Sequence, residues 1–249
     1  MKIFNFLSKA AMVVAVAIFA LGRFVSWVKI IYNMASRDEW YMRRCLHLAM
    51  CGSGSTSPNP MVGAVIVCDG RIIGEGFHIR AGEPHAEVNA VNSVAECDRV
   101  LLKRSTMYVS LEPCSHYGKT PPCCDLIIAC GIPRVVVGMT DPNSCVNGAG
   151  ISRMRAAGVD VAVGLLEDEC YWLNRAFFTA QIDKRPFVTL KWAQSADGFI
   201  DLLRDGGDAA KISNPVSQVA VHKLRAQSDA ILVGRHTALL DNPSLDIRH

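Results

Sequence analysis

The sequence predicts a layered α/β domain followed by a second, shorter unit. Helical patterns alternate with short, largely β-branched apolar runs from residue 40 to residue 181. The charged breaker Asp183-Lys184-Arg185-Pro186 then interrupts the pattern. A chain of 249 residues, half of them apolar, is also long enough to form two modest cores.

The first element is a helix. Residues 40–49 carry apolar side chains at helical spacing, with Tyr41, Cys45, Leu48 and Ala49 on one side. The small and polar run 52–60 ends that helix. Two strands, 62–67 and 71–77, flank Asp69-Gly70, a pair suited to the positive φ angles of a tight hairpin turn. A helix is expected from His85 to Ala95 and a strand over 107–111. The next helix should start at Pro122, where a missing N–H costs nothing, and stop at Gly131. A strand over 134–139, a helix over 151–157 closed by Gly158, a strand over 159–163 and one long helix over 167–181 complete the first unit. A strand over 187–192 opens the second.

The first 33 residues stand apart. Lys2 and Lys9 precede the apolar run 10–22, and Arg23 and Lys29 interrupt the apolar residues after it, a pattern that fits a signal sequence or a short membrane anchor. A start at Met34 is the third reading, because Ser36 and Glu39 stand in the capping-box arrangement of a fresh helix. The expected division is therefore a hydrophobic segment to residue 33, a first domain over 34–183 and an incomplete second domain over 184–249. Residues 1–33 are the one place where membrane contact is expected.

A formal net charge of +3, carried by scattered basic residues, lacks the electrostatic footprint of a nucleic-acid binder and points to a small-molecule partner. Ten cysteines could form a disulfide framework, but the most informative pair comes after a His-x-Glu motif in a large apolar chain. That combination indicates metal chemistry in a reducing, cytoplasmic compartment. The scattered cysteines 45, 51, 68, 97, 130, 145 and 170 serve as small apolar side chains.

The chemical centre is Pro84-His85-Ala86-Glu87, then Pro113-Cys114 and, nine residues later, Cys123. A catalytic zinc takes three imidazole or thiolate ligands and keeps one position open. His85, Cys114 and Cys123 supply that set, and Cys124 is a rival for Cys123. A structural site would need a fourth protein ligand, for which His116 and Cys124 are at hand. Nucleobase deaminases carry His-x-Glu with a later Pro-Cys-x-x-Cys, the glutamate acting as acid and base. Glu87 holds that place here. Zinc lowers the pKa of its water toward neutrality, so the motif indicates hydrolytic removal of an amino group from a pyrimidine-like ring. The N-terminus of the helix opened by Cys123 should favour a thiolate.

The position three after Cys114 is Tyr117, a departure from the nucleobase pattern. The insertion Ser115-His116-Tyr117-Gly118-Lys119-Thr120-Pro121-Pro122, with Pro58-Asn59-Pro60-Met61-Val62-Gly63 upstream and Asp141-Pro142-Asn143 downstream, closely resembles the bifunctional deaminase/reductase family of riboflavin biosynthesis. The resemblance implies a three-layer cytidine-deaminase-like domain and, after it, the start of a dihydrofolate-reductase-like domain. It implies a substrate, 2,5-diamino-6-ribosylamino-4(3H)-pyrimidinone 5′-phosphate, and a second reaction in which NADPH reduces the ribosyl group. His116, Lys119, Asn59, His78 and Arg80 are polar candidates for contact with that substrate.

Lys191-Trp192-Ala193-Gln194-Ser195-Ala196-Asp197-Gly198 and the run from Val233 to Arg248 resemble the reductase. By that resemblance Ala193, Lys211, Thr237 and Asp241 lie along the NADP site, and Ala209, Leu245 and Arg248 near the sugar phosphate. A guanidinium such as Arg248 suits bidentate phosphate recognition. The family often has a serine and a tryptophan where this sequence has Ala209 and Lys211. It also continues into later strands and a glycine-rich cofactor segment, so little or no reductase activity is expected from these 249 residues, and open strand edges could drive homo-oligomer formation. The competing functions are a zinc deaminase for another base or nucleoside, and a membrane-tethered, catalytically silent module.

Overall fold

The computed structural model describes residues 37–117, 121–142, 147–203 and 207–248. The hydrophobic segment 1–33, the Ser36 cap, and the positions of Lys119 and Asn143 lie outside the described residues.

A five-stranded sheet in the order β2-β1-β3-β4-β5 organises the first unit. Its strands are β1 (Gly63–Cys68), β2 (Arg71–Phe77), β3 (Thr106–Val109), β4 (Arg134–Val137) and β5 (Asp160–Val163). β1 runs antiparallel to both β2 and β3, whereas β3, β4 and β5 are parallel. Asp69 and Gly70 take φ angles of 50° and 80°, as the hairpin turn requires.

Strand alternation sends apolar side chains to both faces, so each face needs a helical layer. Ala64, Ile66, Met107, Val109, Val135 and Val137 pack against α2 (Ala86–Asn92), α3 (Cys123–Ala129) and α4 (Ala149–Ala156). On the other face Val65, Val67, Tyr108 and Val136 meet α1 (residues 37–50), α5 (Glu167–Leu173) and α6 (Arg175–Ile182). The result is a three-layer architecture: layered α/β as the alternating pattern predicts, and three-layered as the resemblance implies. All four residues on the expected face of α1 are buried. Polar ties add to that packing: Tyr41 donates to the Gly70 carbonyl at 2.9 Å, and the Arg44 guanidinium grips the Glu75 carboxylate at 2.6 and 2.9 Å. On β3, the Tyr108 hydroxyl donates to Asp38 at 2.6 Å.

Three elements differ from the sequence reading. The single helix expected over 167–181 is two helices broken at Asn174, whose φ of −108° leaves the helical range because its side chain bonds to Met61 instead. The segment Glu96–Arg104, between α2 and β3, is a 3₁₀ helix. The strand expected over 187–192 does not form: no ladder pairs with it among the described residues, and Val188, Leu190 and Trp192 are exposed. β-Branched and aromatic composition favours a strand only where a neighbour supplies hydrogen bonds and a packing face. Beyond it come α7 (Pro215–Ala226), capped by Asn214, which accepts from the Ser217 N–H at 2.8 Å, and a π-helical turn, Thr237–Asp241.

Candidate metal centre and active site

Two helix starts and one strand end converge above the sheet. His85 is the N-cap of α2, Glu87 lies in its first turn, and Cys123 opens α3. Cys114 comes after β3 through Pro113. One ligating atom from each of His85, Cys114 and Cys123 lies within 4.8 Å of the other two.

His85 turns Nδ1 toward both sulfurs, at 3.5 Å from Cys114 Sγ and 3.4 Å from Cys123 Sγ. Zinc bonds of about 2.1 Å to nitrogen and about 2.3 Å to sulfur, set at a tetrahedral angle, separate the two ligand atoms by roughly 3.5 Å. The spacing and the donor types therefore fit a tetrahedral ion with three protein ligands. Cys124 is turned away into the core, with its thiol on Asp125 at 3.7 Å, and burial pushes that thiol up to about 11. His116 is exposed and stands outside the cluster. The geometry thus selects Cys123 over its neighbour.

The electrostatics arise from crowding. The Cys114 thiol is drawn well below its ordinary range, first by the hydrogen bond from Cys123 and then, against burial, by His85. Cys123 is pushed up by the same pairing and by burial. The two thiols contend for one proton, which a cation would replace. His85 is raised, chiefly by its hydrogen bond to Cys114. The N–H at the start of α3 also goes to Cys114: the Cys123 amide donates to Cys114 Sγ at 3.3 Å. The helix terminus therefore stabilises a thiolate at Cys114, where the sequence placed that effect on Cys123.

Glu87 is 3% exposed, and burial, with the charge of Cys114, raises its carboxyl to about 7. A carboxyl near neutrality can both take and return a proton. Beside His85 lies the buried His78, paired with the half-buried Asn59. His78 Nδ1 faces the Pro84 carbonyl at 3.1 Å, so that nitrogen carries the proton, and Nε2 accepts from the Asn59 amide at 3.2 Å. Its ring stands edge-on to His85 with centroids 5.5 Å apart. Asn59 and His78 are therefore brought to the site, while Arg80 is exposed on the loop beyond.

Sequence reasoning passed over Glu112 and Asn174. Glu112 is buried and accepts four backbone N–H groups of the β4–α4 connection and the start of α4. Its place just before Pro113-Cys114 was the only signal.

Residues 35–139 match the family model of the cytidine and deoxycytidylate deaminase zinc-binding region, and residues 186–249 match the RibD C-terminal domain. The riboflavin biosynthesis protein RibD of Aquifex aeolicus is 46% identical over 211 residues, which are 85% of this chain and 58% of that protein. RibD of Escherichia coli is 48% identical over 212 residues, 85% of this chain and 56% of that one. This chain belongs to the RibD family. Among solved structures, the Thermotoga maritima diaminohydroxyphosphoribosylaminopyrimidine deaminase/5-amino-6-(5-phosphoribosylamino)uracil reductase aligns with a TM-score of 0.80 and 45% identity. That alignment covers 86% of this chain and 60% of the other. RibD of Acinetobacter baumannii aligns with a TM-score of 0.77 and 39% identity, covering 86% and 59%. The chain thus spans between half and three-fifths of the length of these RibD relatives.

The residues that RibD resemblance assigns to NADP and sugar phosphate are spread along the second unit. Ala193, Ala209 and Lys211 lie in irregular stretches, and Thr237 and Asp241 bound the π-helical turn. Leu245 has a φ of 51°. The Arg248 guanidinium is engaged by Asp246 at 2.9 Å and by the Ser244 hydroxyl at 3.0 Å. Among the described residues from 186 onward there is no strand.

Proposed function

We propose that residues 34–183 form a zinc-dependent deaminase domain that removes an amino group hydrolytically from 2,5-diamino-6-ribosylamino-4(3H)-pyrimidinone 5′-phosphate, a step of riboflavin biosynthesis. The observation that carries this reading is the convergence of His85 Nδ1 and the Cys114 and Cys123 sulfurs beside a buried carboxyl poised near neutrality. The family membership and the Thermotoga relative support the substrate.

His85, Cys114 and Cys123 would hold the zinc, which when bound supplies the Lewis acidity that readies water for attack. Glu87 takes the proton that water gives up as its oxygen bonds to the amine-bearing ring carbon. The same carboxyl returns a proton to the ring nitrogen and then serves the departing amine. It takes the second proton from the added hydroxyl and hands it to the amino group; the carbon–oxygen double bond forms as the carbon–amine bond breaks, ammonia leaves, and the ring nitrogen keeps its proton. Burial keeps bulk water from competing for the Glu87 proton. Asn59, fixed by His78 through its amide N–H, keeps its oxygen free to accept from a substrate donor.

Residues 184–249 form the second, RibD-type unit. The resemblance assigns Ala193, Lys211, Thr237 and Asp241 to its NADP side and Ala209, Leu245 and Arg248 to its sugar-phosphate side. The nine described cysteines, all free thiols, support a reducing, cytoplasmic setting. No helix of the described residues is long and apolar enough to cross a membrane. The exposed apolar side chains of 187–203 support a homo-oligomer.

The test is ammonia release from the diaminopyrimidinone ribosyl phosphate by zinc-loaded protein, with Glu87→Gln as control. Release that vanishes in the control supports both enzyme class and substrate. Release from cytosine-type bases but not from the ribosyl phosphate would overturn the substrate and leave the zinc chemistry standing.

A further inference from the structure

The side chain of Glu112 and the first turns of α4 grip both ends of the segment that carries Cys114. Oε1 of Glu112 accepts from the N–H groups of Gly150 and Ile151 at 3.0 and 3.3 Å, and Oε2 from those of Asp141 and Gly148 at 3.2 and 2.9 Å. Its own N–H donates to the Met139 carbonyl at 3.0 Å. Four donors on two oxygens match a carboxylate, which only accepts; an amide would turn N–H groups against N–H groups at half of these contacts.

The reverse face of this contact is equally specific. A Cβ on Gly150 would stand 2.1 Å from the Pro113 carbonyl oxygen, so the start of α4 seats against the peptide unit that leads into Cys114. One turn further, Arg153 donates to the Ser115 carbonyl at 3.4 Å and pairs with Asp125 of α3 at 2.9 Å. α4 therefore touches the residue before Cys114, the residue after it, and the helix that Cys123 opens.

We propose that Glu112 is a positioning residue for the metal centre: through α4 it fixes the relative placement of the Cys114 and Cys123 sulfurs, with Arg153 closing the far side. This rests on the reading of His85, Cys114 and Cys123 as the ligand set. Groups behind a ligand shell typically change metal affinity or activity by about 10- to 100-fold when altered, and a brace on two thiolates at once belongs in that range.

Cobalt(II) loading of the full chain tests the inference, because sulfur-to-cobalt charge-transfer and d–d bands report thiolate geometry independently of stability. Glu112→Gln should bind cobalt about 10-fold more weakly or worse, with altered band positions or intensities. Arg153→Ala, at an exposed position that leaves the fold intact, should shift the bands in the same sense by less and keeps the test decisive should Glu112→Gln not fold. Wild-type spectra and affinities in the folded variants, with only a lower urea midpoint, would overturn the proposal and leave Glu112 a purely structural anchor. If Cys114→Ser has the same cobalt spectrum as the wild type, the ligand assignment itself fails, an outcome distinct from failure of the brace.

Discussion

Asn174 and Met61 form a closed pair: the Asn174 side-chain oxygen accepts from the Met61 N–H at 2.8 Å, and its amide nitrogen donates to the Met61 carbonyl at 2.7 Å. A side chain thus serves a loop peptide as a neighbouring strand would. Asn174 is 5% exposed and Met61 half-buried, so truncation would leave two part-buried backbone groups without this partner. Asn174→Ala should lower the unfolding free energy by ~2–6 kcal/mol, at ~1–3 kcal/mol for each of the two groups. Met61 lies two residues from Asn59, so KM should rise more than kcat falls. A urea midpoint within error of the wild type would rule the pair out as a structural tie.

Glu87 governs a pH dependence of stability in metal-stripped protein. Burial raises its carboxyl from 4.5 to about 7, so the native state holds that proton more tightly than the unfolded chain. The contribution is fully favourable below the unfolded value and is lost as pH rises through the folded one. Relative to Glu87→Gln, wild-type stability should therefore fall by up to ~3 kcal/mol between about pH 4.5 and about pH 7, and level off above. Urea unfolding of both chelator-treated proteins at about pH 5 and about pH 8 measures this. A difference that grows with pH in favour of wild type would contradict the burial argument.

In zinc-loaded protein, the same Glu87→Gln change should retain the metal and lose at least ~100-fold in turnover, the lower end of what a positioned acid/base contributes. Zinc content by atomic absorption, read beside ammonia release, separates the two effects. Substantial loss of zinc would make Glu87 a ligand rather than a proton carrier.

Thiol labelling should sort the cysteines by environment. Cys51 and Cys97 are exposed and should react with an aromatic disulfide reagent at about pH 8. Cys170 should stay silent until unfolding, because burial raises its thiol to about 12 and leaves it 1% exposed. Stripping zinc should expose Cys114 as the additional fast thiol. Equal labelling with and without chelator would argue against a thiolate-bound metal.

Gly63→Ala should be among the most damaging single changes outside the metal centre. A Cβ there would stand 2.0 Å from the Cys45 carbonyl oxygen, a backbone atom of α1 that cannot step aside alone. A loss of ~3 kcal/mol or more is expected, at or beyond the upper end of overpacking, readable as a fall in Tm or in soluble yield.

The sheet and the metal centre were legible because local patterns specify them. The short, largely β-branched apolar runs 62–67 and 134–139 and the Asp69-Gly70 turn act over short range, and His85, Glu87, Cys114 and Cys123 carry a chemistry readable from residue type and order alone. The features that escaped the sequence depend on distant partners. The break at Asn174 exists because Met61 is there to be bonded, and the 187–192 run is exposed because composition alone cannot provide a paired neighbour. Glu112 was silent for the same reason: its four donors come from residues 29 to 39 positions away. Cys124 was a rival to Cys123 in sequence, and the phase of α3 separates the two.

Cys114 and Cys123 are also tied through the backbone. The Cys123 N–H reaches the Cys114 sulfur and the Cys124 N–H reaches the Cys114 carbonyl at 3.2 Å. The separation of the two sulfurs is therefore set by contacts at the ends of the intervening sequence, and a change of length or composition between them can leave the metal centre as it is.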